Sequence, residues 1–346
     1  MDAGVLVIHF GEPPRPDRDI VETYLTNIFY QNADLEDAQS EEEARDRARE
    51  LATRRAPGLI EEYEAIGGSP LNEQSREQAA ALGETLSQRD RDVPIEVAFQ
   101  FMEPSIEAGI TALTDTGIDH IVALPIYPLC GPSTTVAALE TVSTILEDSS
   151  VTVSPISGWH RHPTYLQLRA ENIRRYLSQQ ELSLDDPETT LLFSAHGTPI
   201  HYLEEGSRYR IYVEEVCEAL AGLLGVDSYE LGYQNHSNRH IPWTEPDLED
   251  VIESVTTDRV IVEPVSFMHE QSETLTELDH DAAEDAAAEG IDFYRVPIPH
   301  DDPRFPELLA DVVEPFLANI DPALYQLRSC DCAASADAYC LNAPSR

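Results

Sequence analysis

Short runs rich in Val, Ile and Leu recur along the chain, at Val5–Phe10, Pro94–Phe99, Ile121–Leu124, Thr190–Phe193, Tyr229–Tyr233 and Val260–Glu263. Each is bounded by Gly, Pro or Asp. Brief apolar runs without polar alternation predict strands of a parallel sheet buried on both faces. Between them, longer stretches predict helices over Leu71–Arg89, Pro163–Gln180, Tyr209–Leu224 and Glu273–Glu289. This alternation of strand and helix predicts an α/β fold with parallel sheets.

The pattern also repeats. Asp119–Pro125 matches Asp258–Pro264, and Ser133–Leu139 matches Ser272–Leu278, both at a constant offset of 139 residues. The openings Leu6–Gly11 and Leu192–Gly197 correspond as well. Two similar halves are therefore expected, over 1–155 and 156–320, followed by an extension over 321–346. His9 lies 116 residues before Pro125, whereas His196 lies 68 before Pro264. The first half thus holds an insertion, placed at about 13–70, between Pro13 and Pro70. That segment mixes a Glu/Arg-rich helical pattern with Tyr24, Ile28, Phe29, Tyr30, Leu59, Ile60 and Tyr63. It reads either as a packed surface helix pair or as an apolar lip over a cleft beyond the strand C-termini.

Composition narrows the partners. The 346 residues include 22 basic ones, all arginine, against 65 acidic ones, for a formal charge of −43. Such a chain repels nucleic acid and anionic membranes. Its acidity is spread along the whole length and fits a surface solvated in a salty cytoplasm, where salt screens self-repulsion. No apolar run reaches the roughly 20 residues that span a bilayer, and Met1-Asp-Ala-Gly4 lacks the basic start of a signal peptide. A soluble, cytoplasmic protein is expected, monomeric or dimeric. Five cysteines are too few for a disulfide scaffold at this length. Cys217 sits on a helical pattern and reads as core, while Cys330, Cys332 and Cys340 crowd the last seventeen residues.

The repeat also exposes candidate chemistry. His196 ends an apolar strand just before Gly197; it is either structural or an imidazole at the rim of a cleft. Where the first half has Thr134 and Ala138, the second has Glu273 and Glu277. Asp281 continues the series, so one helix face carries carboxylates at i, i+4 and i+8. Stacked like charges destabilise a helix unless a cation compensates. A hydrated divalent metal passing along the stripe would do so; the alternative is a solvated helix face. His269 and Glu270 precede the stripe and could extend its polar lining.

These residues carry a family resemblance. Phe193-Ser-Ala-His-Gly-Thr-Pro199 resembles the Phe-Ser-Ala-His-(Gly/Ser)-Leu-Pro motif of the ferrochelatases. Phe267–Asp279 resembles that family's second motif, an acidic pair followed by Glu-Thr-Leu-x-Glu-Leu-Asp. Ile66–Leu71, Tyr127–Thr135 and Gln234–Trp243 resemble three weaker motifs in the same order. The resemblance covers roughly residues 4 to 318. It implies two Rossmann-like domains of chelatase type, with a porphyrin in the cleft between them and Fe2+ as the second substrate. By position it implies His196 as the proton-accepting imidazole and Glu273 as the opposing carboxylate, with Glu277 and Asp281 relaying metal or protons. Tyr30, Ser133, Thr134 and Trp243 are then candidates for packing on the porphyrin, and Arg15, Arg18 and Arg208 for its propionates. Whether the ring is protoporphyrin IX or coproporphyrin III is not legible.

Several positions depart from the family's pattern. Gln271 stands where a histidine is frequent, Gln100 where a basic residue is, and His9 where asparagine is. Some ferrochelatases bind a [2Fe–2S] cluster through three C-terminal cysteines and one from the first half. That implies Cys330, Cys332 and Cys340 with Cys130 in the matching loop. Zinc is an alternative for four thiolates, and an uncommitted tail is a third reading. Competing functions are a sirohydrochlorin-type chelatase and a porphyrin- or haem-binding protein without catalysis.

Overall fold

The computed structural model describes residues 2–31, 40–235, 241–330 and 338–341. The first half runs β1 (Ala3–His9), α1 (Arg18–Gln31), α2 (Glu41–Ile66), α3 (Leu71–Gln88), β2 (Ile95–Phe99), α4 (Ile106–Asp115), β3 (His120–Pro125), α5 (Ala137–Leu146), β4 (Thr152–Gly158) and α6 (Pro163–Gln179). The second runs β5 (Thr189–His196), α7 (Ile200–Glu204), α8 (Tyr209–Leu224), β6 (Glu230–Gln234), α9 (Leu248–Ser254), β7 (Arg259–Pro264), α10 (Ala283–Ala288), β8 (Asp292–Arg295) and α11 (Arg304–Leu317). Two short strands, β9 (Arg328–Ser329) and β10 (Tyr339–Cys340), close the described chain.

Both halves share one topology. The first sheet is ordered β2-β1-β3-β4, continued by β10 and β9, and the second β6-β5-β7-β8. The pairings among β1–β4 and among β5–β8 are parallel. In each sheet the strand order reverses at its central pair, β1/β3 or β5/β7. That is where open α/β sheets part their loops and leave a crevice at the strand C-termini. Register refines the repeat. Ile8 faces Pro125 across β1/β3, and Ser194 faces Pro264 across β5/β7. Because the two prolines correspond, Phe10 rather than His9 is the counterpart of His196.

The halves are fused through one core. It takes Val5 and Val7 of β1, Phe193 of β5, Leu82 of α3, Tyr165 of α6, Val213 of α8 and Leu309 of α11. α11 packs back on α3 and α6, bracing the first half with the end of the second. β4 runs through the expected boundary at 155/156, and β10 pairs with it in parallel, so the chain's end returns to the first sheet. Among the described residues, no helix is long and apolar enough to cross a membrane.

The helix expected over Glu273–Glu289 is not uniformly α. Glu273–Ala282 is wound as a π-helix before α10 begins, and Pro132–Val136 at the corresponding place in the first half is a π-turn. Such winding is rare and concentrates at functional sites.

Candidate active site

A cavity of about 300 Å³ opens between the two sheets. β1 and the residue after it present His9 and Phe10, and the end of β5 presents His196, with Gly197 after it. Ser133 and Thr134 line it from the first half's π-turn, and Glu273 and Glu277 from the second's. Trp243 adds an aromatic wall. The insertion forms the roof. α1 and α2 pack on each other through Val21, Tyr24, Leu25, Ala52, Ala56 and Tyr63, while Ile28, Phe29, Leu59, Arg55 and Glu62 border the cavity. The helices that pack on each other thus also border the cavity.

His196 is held in one tautomer. Its Nδ1 lies 2.7 Å from the carbonyl oxygen of Gly197. A carbonyl can only accept, so Nδ1 carries a proton, and in the neutral ring Nε2 is then the nitrogen with the lone pair. The backbone is pinned as well: His196 N–H donates to Ser266 Oγ at 2.8 Å, and Tyr209 donates its hydroxyl to His196 O at 3.0 Å. Gly197 permits this turn because a side chain there would run into Asn235 Oδ1, 1.6 Å from the Cβ position.

Glu273 accepts from Gln271 Nε2 at 2.8 Å and from Ser272 Oγ at 3.0 Å. Gln271 thus takes a defined part: where the family resemblance expects an imidazole, an amide orients the carboxylate. Behind it stands Glu12, which the sequence reading did not single out. Glu12 is buried, accepts from the hydroxyls of Tyr63 and Ser69 and from the Ser272 N–H, and is hydrogen-bonded to Ser272 Oγ. Burial, then the charge of Glu273, pushes Glu12 up to about 7. Burial and Glu273 likewise push Glu277 up to about 8, against a hydrogen bond from Gln234 Nε2 at 2.9 Å. Groups titrating this close to neutrality suit proton exchange.

Two arginines hold the segment in place. Arg169, fully buried, pairs with Glu263 and donates to the carbonyls of Pro264 and Phe267. This fixes the path from β7 into the cavity wall. Arg295 clamps Glu270 and Asp279, bracing the π-helix from outside. Glu270 is therefore committed to the scaffold rather than to the lining. Gln100 is likewise structural: it accepts from the Tyr127 hydroxyl at 3.1 Å and donates to Ser133 O at 3.3 Å.

Other expected residues lie elsewhere. Asp281 is exposed and outside the cavity lining, while Glu62 of the lip lines it; both carboxylates are near enough to Glu277 to raise its pKa. Tyr30 turns from the cavity; its hydroxyl donates to Glu41 at 3.0 Å, and Arg45 lies over its ring. Arg15 and Arg18 are exposed and Arg208 half-buried, none of them in the lining, whose arginine is Arg55, paired with Glu62 at 2.7 Å. Cys130 is buried in the shared core, and Cys330 and Cys340 are buried beside the first sheet, while Cys332 lies outside the described residues. Among the described residues, no group of three or more His, Cys, Asp or Glu is placed to hold a metal ion. The expected cysteine cluster is thus not supported. His196, Glu273 and Glu277 do not form such a group either.

Fold and site together define a chelatase-type α/β protein. Solved structures agree on the fold: the chain is similar to SirB from Bacillus subtilis with Fe3+, at a TM-score of 0.55 and 12% identity, covering 92% of this chain and 97% of that one. A second SirB structure, a sirohydrochlorin chelatase in complex with cobalt, gives 0.52 at 12% identity. Sequence comparison is more specific. The family model "Ferrochelatase" matches residues 2–316. The ferrochelatase of Aquifex aeolicus (strain VF5) is 32% identical over 322 residues, covering 91% of this chain and 99% of its own length. That of Synechococcus sp. (strain RCC307) is 33% identical over 280 residues, 78% of this chain and 71% of its own. The chain belongs to the ferrochelatase family, enzymes that insert a metal into a porphyrin.

Proposed function

We propose that this chain inserts Fe2+ into a porphyrin bound in the cavity, with His196 Nε2 as a proton acceptor. A porphyrin loses two pyrrole protons as the metal enters. Each N–H electron pair stays on its nitrogen and becomes a donor to iron, so a base must lie against the ring. The observation that carries the reading is the shared cavity. An imidazole whose Nδ1 is committed to Gly197 faces the same space as the carboxylates of Glu273 and Glu277. Glu62, Glu277 and Glu273 form the entry line for the cation, with Asp281 further out on the same helix. Phe10, Phe29 and Trp243 offer apolar surface to the macrocycle, and Ser133 and Thr134 polar groups at its edge.

The test mixes anaerobic protein with Fe2+ and, separately, protoporphyrin IX, coproporphyrin III and sirohydrochlorin, and follows the absorbance of the metallated ring. Insertion into one of the two porphyrins is expected. His196→Ala should lower it by about 10²–10⁴-fold, the usual range for general acid–base groups. Metallation of sirohydrochlorin alone would move the activity to the other chelatase class. Binding without insertion into any ring would leave a carrier.

A further inference from the structure

We propose that His9 and His269 form a proton relay that takes the second pyrrole proton out of the cavity through the protein. The proposal rests on the reading of the site as one of porphyrin metallation. His9 lines the cavity at the end of β1, on the first half's side, whereas His196 belongs to the second half. His269 lies behind it, wholly buried on the segment after β7. His269 Nδ1 and His9 Nε2 are 2.9 Å apart, with the rings edge to face at 4.4 Å between centroids. The outer nitrogens, His9 Nδ1 and His269 Nε2, are buried and have no hydrogen-bond partner in the structure. Buried polar atoms are rarely left so, and those that are call for an explanation.

Proton counting supplies one. Each neutral imidazole has one N–H and one lone pair. The central hydrogen bond uses one proton, so the outer nitrogens must be one acceptor and one donor. When His9 Nε2 donates, His9 Nδ1 is bare and His269 Nε2 carries hydrogen. A proton entering at His9 Nδ1 pushes the Nε2 proton onto His269 Nδ1, and the Nε2 proton of His269 leaves. One proton enters, one leaves, and the N–H electron pair stays on the pyrrole nitrogen, which binds iron. His300, half-exposed and near enough to act electrostatically on His269, is the group assigned to take that proton and hand it to solvent. Burial holds His9 down to about 3 and His269 also well below an ordinary histidine, so the pair passes a proton rather than storing it. Glu270 does not interrupt the route, being tied to Arg295.

His269→Gln tests this, because an amide can still hydrogen-bond His9 but cannot pass a proton. Single-turnover metallation should slow by about 10²-fold, with a changed solvent deuterium isotope effect and porphyrin affinity, read by fluorescence, within about twofold. His9→Ala should be slow as well, and added imidazole should restore part of its rate, because that position borders the cavity. Imidazole should not rescue His269→Gln. Wild-type metallation with both variants at full rate and an unaltered isotope effect overturns the relay alone. Loss of porphyrin binding in step with rate also overturns it, since the pair would then be packing. Wild-type protein that binds a porphyrin and metallates none overturns the reading of the site, and the relay with it.

Discussion

Glu12 and Glu273, one from each half of the molecule, point their carboxylates at the same hydroxyl, that of Ser272. One hydroxyl has one hydrogen and cannot donate to both. A neutral Glu12 resolves the conflict: its own O–H donates to Ser272, which donates to Glu273. The surroundings favour that arrangement, since burial and the Glu273 charge both penalise a second anion.

Glu12→Gln should therefore alter stability in a pH-dependent way. Glu12 ionises near 4.5 in the unfolded chain and near 7 in the fold. Between those values the folded state binds the extra proton. Wild-type stability from this group is thus complete below the unfolded value and lost as pH rises through about 7. The glutamine variant loses nothing over that window. Its melting temperature relative to wild type should rise between about pH 5 and pH 8, by an amount worth at most roughly 3 kcal/mol. Thermal melts at both pH values check it; a constant difference would mean that Glu12 ionises normally.

Glu277 should gate metal entry. With its pKa raised to about 8, it is largely neutral at pH 7 and anionic above. Attraction for a divalent cation strengthens with that charge, so KM for Fe2+ should fall as pH rises through about 8. Glu277→Gln should flatten the dependence and raise KM roughly tenfold above that pH, equal to about 1.4 kcal/mol. Initial rates over a pH series under anaerobic conditions are the measurement. An unchanged profile would place the titrating group elsewhere.

Much of this architecture was legible in the sequence because buried parallel strands write themselves as apolar runs. β1, β2, β3, β6 and β7 lie within two residues of the expected runs, and β5 runs three residues further, to His196. β4 and β8 escaped for physical reasons. β4 carries Pro155 among serines and threonine, and a proline argues against a central strand. β8 has four residues, half of them charged. His196, Glu273 and Glu277 were legible because the repeat placed them at strand and helix starts. Glu12 was not, since one carboxylate in so acidic a chain has no local signature. Only the fold brings it to Ser272. Asp281 lies outside the lining because winding differs: an i+8 position taken from α geometry leaves the cavity, though it still acts on the Glu277 charge, and the lip adds Glu62.

Charge should make the fold salt-dependent. A net charge of −43 on 346 residues is self-repelling in dilute buffer. Screening shortens from about 10 Å at 0.1 M to about 3 Å at 1 M salt. The melting temperature should rise steadily over that range in KCl. Neutral osmolytes at equal osmolality should not reproduce the steepest part, below 0.5 M. A flat salt dependence would mean that the acidic residues are spaced widely enough not to interact.

Gly197→Ala should damage the site through packing rather than chemistry. The added methyl would fall 1.6 Å from Asn235 Oδ1, which must move, and 3.1 Å from the Gln234 carbonyl, which is part of β6. Asn235 is not free to give way, because its amide donates to Thr244 O at 2.7 Å and to Asp247. Displacing it disturbs the strap that carries Trp243, bridged to Pro199. Overpacking of this kind costs about 1–3 kcal/mol, and metallation should fall with it as the Gly197 carbonyl shifts from His196 Nδ1. Asn235→Ala removes the obstructing amide at its own cost. If the clash is the cause, the double variant should be more stable than the two single losses predict, by roughly 0.5–3 kcal/mol of coupling. Denaturant unfolding of the four proteins gives that coupling directly, and strict additivity would show that the glycine is required for another reason.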